Sequence, residues 1–302
     1  MTEISGETRC GFIALLGAPN AGKSTLINRI VGAKVSIVSP KVQTTRARCL
    51  GIVINGQSQV VFVDTPGIFE PQRRLDRAMV DAAWKGASEA DHVAVVVDSE
   101  RGYDGNTRRI VEALPEGGGG TLVLNKIDRV ARPNLLSLAE EINASGRFAE
   151  TFMISALKGH GVEDLGRHFA GNVPPGPWMF PEDQLSDMPM RMMAAEAVRE
   201  QLFLQLHQEL PYALTVETEE WKTLKDGSHR ISAVVIIERE SQKGMVLGKG
   251  GSRIKAVGEA ARLELEEMFD SRVHLFLHVK VRKDWKEKAE HYRNMGLDFP
   301  TG

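Results

Sequence analysis

The sequence lacks several features that define whole classes of protein. It contains only two cysteines, Cys10 and Cys49, which are too few for a secreted disulfide framework and lack metal-ligand spacing. No run approaches the roughly 20 apolar residues that span a bilayer, and the first six residues lack the basic start and apolar core of a secretion signal. The formal net charge of -2 excludes a polybasic chain, so any nucleic-acid contact must come from a local patch. We therefore expect a cytoplasmic, soluble protein with reduced cysteines.

The length of 302 residues predicts about two domains, and one segment is typical of a boundary. Residues 171–178 contain three prolines and two glycines, which cannot continue a helix or a strand. We predict an N-terminal domain over residues 1–172, a linker over 173–186 and a C-terminal domain over 187–302.

The most informative stretch of the first domain lies between an apolar run and a helix-like run. It reads Gly17-Ala18-Pro19-Asn20-Ala21-Gly22-Lys23-Ser24-Thr25. The spacing of a glycine, four residues and then Gly-Lys-Ser, between a strand and a helix, is that of a P-loop. In such a loop the backbone N–H groups point at phosphate oxygens, the lysine bridges the β- and γ-phosphates and the serine hydroxyl binds Mg²⁺.

A second acidic motif follows a predicted hairpin. Apolar runs at residues 50–54 and 59–63 flank Asn55-Gly56, which predicts two antiparallel strands. The second run leads directly into Asp64-Thr65-Pro66-Gly67. An aspartate in this position of a P-loop protein holds Mg²⁺ directly or through water, and a glycine lets the backbone approach the γ-phosphate. The preceding polar stretch, residues 33–48, shows no periodicity and is predicted to be a mobile loop.

Three further apolar runs, at residues 92–98, 121–124 and 150–154, alternate with helical stretches. Such alternation predicts a doubly wound, mostly parallel sheet that binds its ligand at the carboxyl ends of the strands. The run at 121–124 leads into Asn125-Lys126-Ile127-Asp128, and the run at 150–154 leads into Ser155-Ala156-Leu157. A carboxylate at Asp128 can accept hydrogen bonds from both N1–H and the 2-amino group of guanine, whereas adenine offers no such pair. This disfavours an ATPase.

The motifs together resemble the guanine-nucleotide signature of small GTPases, and more narrowly the Era family of bacterial GTPases. The resemblance implies that Asn125 supports the loop and base, that Lys126 lies over the base, that Asp128 selects guanine, and that Ser155 and the Ala156 N–H close the pocket. Ile68 stands where Ras-like enzymes carry a water-positioning glutamine, so no side-chain amide can orient the attacking water there.

The resemblance also implies the cations and the catalytic residues. We expect Mg²⁺ to be bound by Ser24, Thr45 and Asp64, with Thr44 as an open alternative to Thr45. A second candidate cation is K⁺, held with the help of Asn20 in place of an arginine finger. The predicted catalytic residues are Lys23, Thr45, Asp64, Gly67 and Asn20. The predicted nucleotide-binding residues are Gly17, Ala18, Pro19, Asn20, Ala21, Gly22, Lys23, Ser24, Thr25, Asp64, Thr65, Pro66, Gly67, Ile68, Asn125, Lys126, Ile127, Asp128, Ser155, Ala156 and Leu157.

The second half contains a different glycine motif. A helical pattern over residues 190–210 and two apolar runs at 212–216 and 230–237 precede Gly248-Lys249-Gly250-Gly251, and a helix to residue 269 and a strand over 273–281 follow it. The Gly-x-x-Gly pattern is typical of a KH domain, in which the loop clamps a nucleic-acid backbone. The local stretch is basic without an acidic residue, which suits phosphates. The predicted RNA-binding residues are Lys243, Gly248, Lys249, Gly250, Gly251, Arg253 and Lys255.

The predicted fold class is therefore α/β: a P-loop NTPase domain with a doubly wound, mostly parallel sheet and one antiparallel edge hairpin, plus a smaller α+β type II KH domain. Resemblance to the Era family implies a GTP-hydrolysing switch that binds GTP or GDP, the small ribosomal subunit and the 3′ region of 16S-type rRNA during subunit maturation, with no DNA partner. Residues 283–293 are a candidate for peripheral contact with the inner face of the cell membrane, although their charges are mixed. Two alternatives stay open: a signalling GTPase whose C-terminal domain binds a protein, and a tRNA-modification-type GTPase.

Overall fold

The structure is a computed structural model that describes residues 7–207 and 209–300. The residues on which the expectation of a missing secretion signal depends lie outside this range. The chain divides into two compact units. The first comprises the described residues up to Ser36 together with Thr45–Asp187, and the second comprises Ile37–Thr44 and the described residues from Met188 onward.

The first unit is built on a six-stranded sheet with the order β2-β3-β1-β4-β5-β6. Only the β2–β3 pair is antiparallel, and it forms the predicted hairpin at the edge of the sheet. The strands are β1 (Arg9–Leu16), β2 (Cys49–Asn55), β3 (Ser58–Asp64), β4 (His92–Asp98), β5 (Gly120–Asn125) and β6 (Phe148–Met153). The predicted doubly wound α/β class is confirmed.

Five helices cover the two faces of this sheet: α1 (Lys23–Val31), α2 (Arg74–Ser88), α3 (Gly105–Ala113), α4 (Arg132–Asn143) and α5 (Val162–Asn172). Successive β4 side chains point to opposite faces, so Val96 packs in the core beneath α1 and α5, while Val97 packs beneath α2, α3 and α4. Two-sided burial explains why the strands read as continuous apolar runs. Helix α2 was not predicted, although Leu75, Met79 and Ala83 recur at helical spacing and are buried.

The segment predicted as a linker is packed within the first unit. The buried Gln59 side chain accepts hydrogen bonds from the N–H groups of Met179 (2.9 Å) and Phe180 (3.0 Å) and donates to the Phe180 carbonyl (2.8 Å). Further along, the Leu185 carbonyl accepts from the Ile52 N–H at the sheet edge. A proline-rich composition signals the absence of helix and strand, but it does not show whether a segment is packed. The division at residues 172 and 187 stays a prediction.

The second unit contains a three-stranded sheet with the order β7-β8-β9, in which β7 and β8 are antiparallel and β8 and β9 parallel. Its elements are α6 (Met190–Gln205), β7 (Leu214–Thr223), β8 (His229–Ile237), α7 (Glu240–Leu247), α8 (Ser252–Phe269), β9 (Val273–Val281) and α9 (Ala289–Asn294). This is the predicted type II KH order. Helix α6 ends at Gln205 rather than at residue 210 as predicted, because Leu206 adopts an extended backbone and is buried in the core. Of the helices in the described ranges, none combines the length and apolar character needed to cross a bilayer.

Candidate nucleotide site and Gly-x-x-Gly loop

The P-loop connects β1 to α1 and requires glycine at two positions. A side chain on Gly17 would place its Cβ 2.4 Å from the Val96 carbonyl oxygen. Gly22 has a left-handed backbone (φ 96°), and its Cβ would lie 2.3 Å from the Asn125 side-chain nitrogen. The loop therefore lies against the ends of β4 and β5, where a doubly wound sheet binds its ligand.

Lys23 extends back over the loop and is buried. Its Nζ donates to the carbonyl oxygens of Gly17 (3.0 Å) and Ala18 (3.3 Å). Burial lowers the pKa of Lys23 to about 8, and the negative charge of Asp64 partly opposes this shift. A phosphate group beside this ammonium would stabilise its charged form.

The three predicted metal-binding residues meet at one point. The Ser24 hydroxyl lies 2.8 Å from both the Thr45 hydroxyl and Asp64 Oδ2, and Thr45 Oγ1 lies 3.4 Å from the same carboxylate oxygen. Thr44, the open alternative, instead bonds to Ser39 and to the Lys41 carbonyl. The geometry favours Thr45 as the metal-contacting threonine.

The second carboxylate oxygen of Asp64 indicates how a cation would fit. Oδ1 is buried and has no hydrogen-bond partner among the described residues. Burial raises the pKa of Asp64, and hydrogen bonds to Ser36 and Ser24 and the charge of Lys23 oppose that rise. A donor set made only of hydroxyl and carboxylate oxygens is the type that Mg²⁺ prefers.

Sequence reasoning missed two residues that order this corner. Ser36 donates to Asp64 Oδ2 at 2.7 Å, and Asn28 holds the Ser36 backbone by accepting from its N–H and donating to its carbonyl. Neither residue belongs to a recognisable motif, so no local signal in the sequence identifies them. Their role follows only from the path of the loop after α1.

The segment after Asp64 lies directly on the P-loop. A Cβ on Gly67 would lie 2.8 Å from the Pro19 Cα, which leaves no space for a side chain. The Ile68 N–H donates to the Gly17 carbonyl at 3.1 Å, and the Ile68 side chain is buried in the core. Thr65 donates to the Leu15 carbonyl at 2.7 Å, which fixes the start of this segment to β1.

The predicted base-binding residues converge on the other side of the loop. Asn125 is buried, donates to the Ala21 carbonyl at 2.8 Å and accepts from the Ala156 N–H at 2.9 Å. It thus joins the P-loop to the loop after β6. The Ala156 N–H, which we expect to close the base pocket, donates to Asn125.

The two charged residues of the Asn-Lys-x-Asp motif differ in their environment. Lys126 has a left-handed backbone (φ 64°), and its Nζ lies 2.6 Å from the buried Asp98 carboxylate. Asp128 is solvent-exposed, and a hydrogen bond from Ser155 keeps its pKa below the usual range. Asp128 is therefore an ionised acceptor at neutral pH. Asp98 was not predicted, although its position at the end of a buried strand could have indicated it.

The Gly-x-x-Gly loop of the second unit joins α7 to α8. Gly248, Gly250 and Gly251 all have positive φ values, and a Cβ on Gly248 would lie 2.8 Å from the Arg253 Cβ. The Arg253 guanidinium donates to the Met245 carbonyl at 2.6 Å, which ties the two helix ends together. Lys249 and Lys255 are exposed, whereas Lys243 lies 3.5 Å from Glu240, an acidic residue just before the basic stretch.

These observations define a class of protein: a P-loop GTPase domain joined to a KH domain. The family model described as "50S ribosome-binding GTPase" matches residues 12–126, and the model described as "KH domain" matches residues 209–286. GTPase Era of Brucella suis biovar 1 is 58% identical over 296 residues, which cover 98% of this chain and 95% of the relative. GTPase Era of Rhizobium meliloti is 59% identical over 294 residues, which cover 97% and 94%. The chain belongs to the Era family of GTPases and is itself a GTPase.

Solved structures agree with this assignment. A structure of Era in complex with MgGDPNP and nucleotides 1506–1542 of 16S ribosomal RNA has a TM-score of 0.90 at 37% identity, covering 96% of this chain and 99% of that one. A variant of Aquifex aeolicus Era bound to GDP·AlF₄⁻ gives the same TM-score, identity and coverage. Both cover the GTPase and KH parts.

Proposed function

We propose that the protein is a GTP-controlled rRNA-binding switch that assists maturation of the small ribosomal subunit. The observation that supports this most strongly is the presence, on one chain, of a guanine-type nucleotide site and an exposed Gly-Lys-Gly-Gly loop flanked by cations. The 16S rRNA segment bound by the similar Era structure suggests the RNA, namely the 3′ region of small-subunit rRNA.

In the first unit, the P-loop and Lys23 bind the phosphates of GTP, and Asp128 selects guanine. Ser24, Thr45 and Asp64 would hold Mg²⁺, which would neutralise charge on the β- and γ-phosphates. Gly67 would let a backbone N–H approach the γ-phosphate closely. Because Ile68 carries no polar side-chain atom, its side chain cannot orient the attacking water from this position.

Asn20 is the proposed contributor to a monovalent-cation site beside the phosphates. It lies in the P-loop turn with a left-handed backbone (φ 65°). Asparagine adopts this conformation more often than most residues with a side chain. Steady-state hydrolysis in K⁺ buffer should exceed that in Na⁺ buffer, and Asn20→Ala should remove the difference. Equal rates of the unchanged protein in the two buffers would contradict this site.

In the second unit, the Gly-x-x-Gly loop is proposed to clamp the RNA backbone, with Lys249, Arg253 and Lys255 neutralising phosphates. Lys249 belongs to the loop itself, and Arg253 and Lys255 lie in the first turn of α8 directly after it. DNA is not an expected partner.

Nucleotide state is proposed to reach this unit through residues 37–44, which follow α1 and directly precede Thr45. These residues belong to the second unit. There, Glu200 accepts from the Val38 N–H at 3.1 Å, Lys41 donates to the Phe203 carbonyl, and Arg199 donates to the Thr44 carbonyl. Ordering of Thr45 around a nucleotide-bound cation would therefore act on a segment that α6 holds.

The deciding experiment is crosslinking to RNA in cells, comparing the unchanged protein with a Gly248→Asp, Gly251→Asp double variant. Both substitutions place a side chain at a positive φ, so they distort the loop without touching the nucleotide site. A peak at the 3′ end of small-subunit rRNA that the double variant loses supports the proposal. Crosslinking only to other RNAs, or none, would contradict it and favour a protein partner.

The proposed location is the cytoplasm, with peripheral membrane contact through residues 283–293 as a secondary feature. Fractionation of cells in low and high salt checks both parts. A protein bound electrostatically to the membrane should leave the membrane fraction at high salt.

A further inference from the structure

The carbonyl oxygens of the P-loop accept hydrogen bonds from donors within the loop and from donors outside it. The Gly17 carbonyl accepts from Lys23 Nζ and from the Ile68 N–H, the Ala18 carbonyl accepts from the Ala21 N–H (3.2 Å), and the Ala21 carbonyl accepts from Asn125. The Pro19 carbonyl is approached by Arg101 Nη1 at 3.5 Å. Of these donors, Arg101 is the one that belongs to none of the motifs described above.

The orientation of the Pro19 carbonyl controls the direction of the next N–H. A peptide unit is planar and trans, so the Pro19 C=O and the Asn20 N–H point in opposite directions. A donor on the outer side of the carbonyl therefore turns the Asn20 N–H towards the inside of the loop, where the phosphates bind. Asn20 needs this support because its φ of 65° is unusual for a residue with a side chain.

Arg101 is itself held by Asp98. Its Nε lies 3.7 Å from Asp98 Oδ2, the carboxylate oxygen that also contacts Lys126 Nζ. Asp98 is 7% exposed, so its charge is poorly hydrated and favours both cations. One buried carboxylate thus connects the base-binding lysine to the arginine that reaches the P-loop turn.

We propose that Arg101 is a positioning residue for GTP hydrolysis. It holds the Pro19 peptide so that the Asn20 N–H faces the oxygen that bridges the β- and γ-phosphates. Asp98 keeps the guanidinium in place, so occupation of the base site and alignment of the phosphate site are linked through one side chain.

This role predicts an effect on the chemical step rather than on binding. Negative charge on the bridging oxygen grows as the bond to the γ-phosphate breaks, so a fixed N–H at that oxygen stabilises the transition state more than bound GTP. Ground-state affinity depends mainly on the other P-loop N–H groups, Lys23 and the base contacts, which Arg101 does not form.

The test is single-turnover GTP hydrolysis by the full-length protein without RNA, together with GDP affinity, for Arg101→Ala and Arg101→Lys. Arg101 is half-exposed and lines an open cavity of about 560 Å³, so truncation leaves no packed void. The matched control is Arg108→Ala. Arg108 stacks on Tyr103, which lines the same cavity, and pairs with Glu141 at 3.6 Å.

Arg101→Ala should lower the hydrolysis rate about five- to tenfold and leave GDP affinity and the KM for GTP within about twofold. Arg101→Lys should recover part of the rate, because an ammonium can approach the carbonyl but lacks the second arm towards Asp98. Arg108→Ala should match the unchanged protein. A rate within twofold for Arg101→Ala, or a parallel loss of GDP affinity, would overturn the proposal. Because the assay contains no RNA, its result is independent of the proposed ribosomal role.

Discussion

Asp128, the proposed selector of guanine, has the charge and exposure that this role requires. It is ionised at neutral pH and faces solvent, so both of its oxygens can accept hydrogen bonds from a base. By contrast, Lys23 and Asp64 are buried charges that the fold tolerates where a charged ligand binds. The residues of this site therefore differ in role. An exposed charge is available to select a ligand, whereas a buried charge is stabilised when a charged ligand binds beside it.

Replacing Asp128 with Asn should change the preferred base. The amide offers one donor and one acceptor, which mismatches the two donors of guanine and matches the N–H and carbonyl of xanthine. We expect kcat/KM for GTP to fall at least about 100-fold, with xanthosine triphosphate becoming the better substrate. Asp164→Asn, an exposed change on α5, serves as the control. Unchanged GTP use by the Asp128 variant would show that another group selects the base.

Lys23 should make the nucleotide-free protein less stable near neutral pH. Its pKa is lower in the folded state (about 8) than in the unfolded chain (10.5), so the unfolded state binds more protons between these values. Stability therefore rises with pH in that window and carries the full penalty, about 3 kcal/mol, below pH 8.

Lys23→Met removes the titrating group. We compare the free energies of unfolding of the two proteins. The difference, variant minus unchanged protein, should be about 2 kcal/mol smaller at pH 9.5 than at pH 7.5. Urea unfolding of both nucleotide-free proteins measures this difference. A difference independent of pH would mean that Lys23 titrates normally.

At the scale of elements, both candidate sites occupy loops between rigid elements. The nucleotide loops follow β1, β3, β5 and β6 at one end of a sheet that is buried on both faces. The Gly-x-x-Gly loop lies between α7 and α8, and its three positive φ values explain why glycines occur there. Buried residues such as Thr65, Ile68 and Asn125 anchor the nucleotide loops themselves. The Gly248 to Gly251 loop includes no buried residue and depends on its flanking helices.

The cations of the Gly-x-x-Gly loop should determine the salt dependence of RNA binding. A double variant, Lys249→Ala with Lys255→Ala, should bind RNA more weakly at low salt. The slope of log affinity against log salt should be smaller by about 1.4, the value for two phosphate contacts on single-stranded RNA. Titration of a labelled single strand at several salt concentrations gives the slope. Lys225→Ala, in the exposed turn after β7, should leave it unchanged. An unaltered slope in the double variant would place the RNA elsewhere.

At the scale of the whole molecule, the two compact units do not follow the order of the chain. Residues 37–44 belong to the second unit, although they lie between α1 and β2 of the first. The chain therefore crosses between the units at Ser36 and Thr45, and both residues bond to Asp64. The segment that bonds to α6 is therefore joined at each end to a residue that bonds to Asp64 at the proposed Mg²⁺ site.

RNA affinity should accordingly depend on the bound nucleotide, with a difference of about 5- to 20-fold between a GTP analogue and GDP. Glu200→Ala removes the acceptor for the Val38 N–H and should bring this ratio close to one, while Glu209→Ala, an exposed neighbour, should not. RNA titrations in both nucleotide states measure the ratio. Thermal melting checks that the Glu200 variant folds. A folded variant with an unchanged ratio would exclude this segment from the coupling.

The sequence by itself determined the features that depend on local order along the chain. Each of the four motifs follows or joins elements whose periodicity can be read from the sequence. They are the P-loop, the Asp64 to Gly67 segment, the Asn125 to Asp128 motif and the Gly248 to Gly251 loop. Because parallel strands bring their carboxyl ends to one edge, order alone predicted that the first three motifs would meet.

Only the tertiary structure decided the contacts between residues that are distant in sequence. Three examples depend on where loops meet in space. Ser36 bonds to the Asp64 carboxylate, and Asp98 lies between Lys126 and Arg101. Residues 173–187 pack within the first unit. Such contacts leave no periodic signal, because a single hydrogen bond or ion pair constrains one residue and not a pattern. Helix α2 lies between these cases: its apolar spacing is present in the sequence, but its many charged residues obscure it.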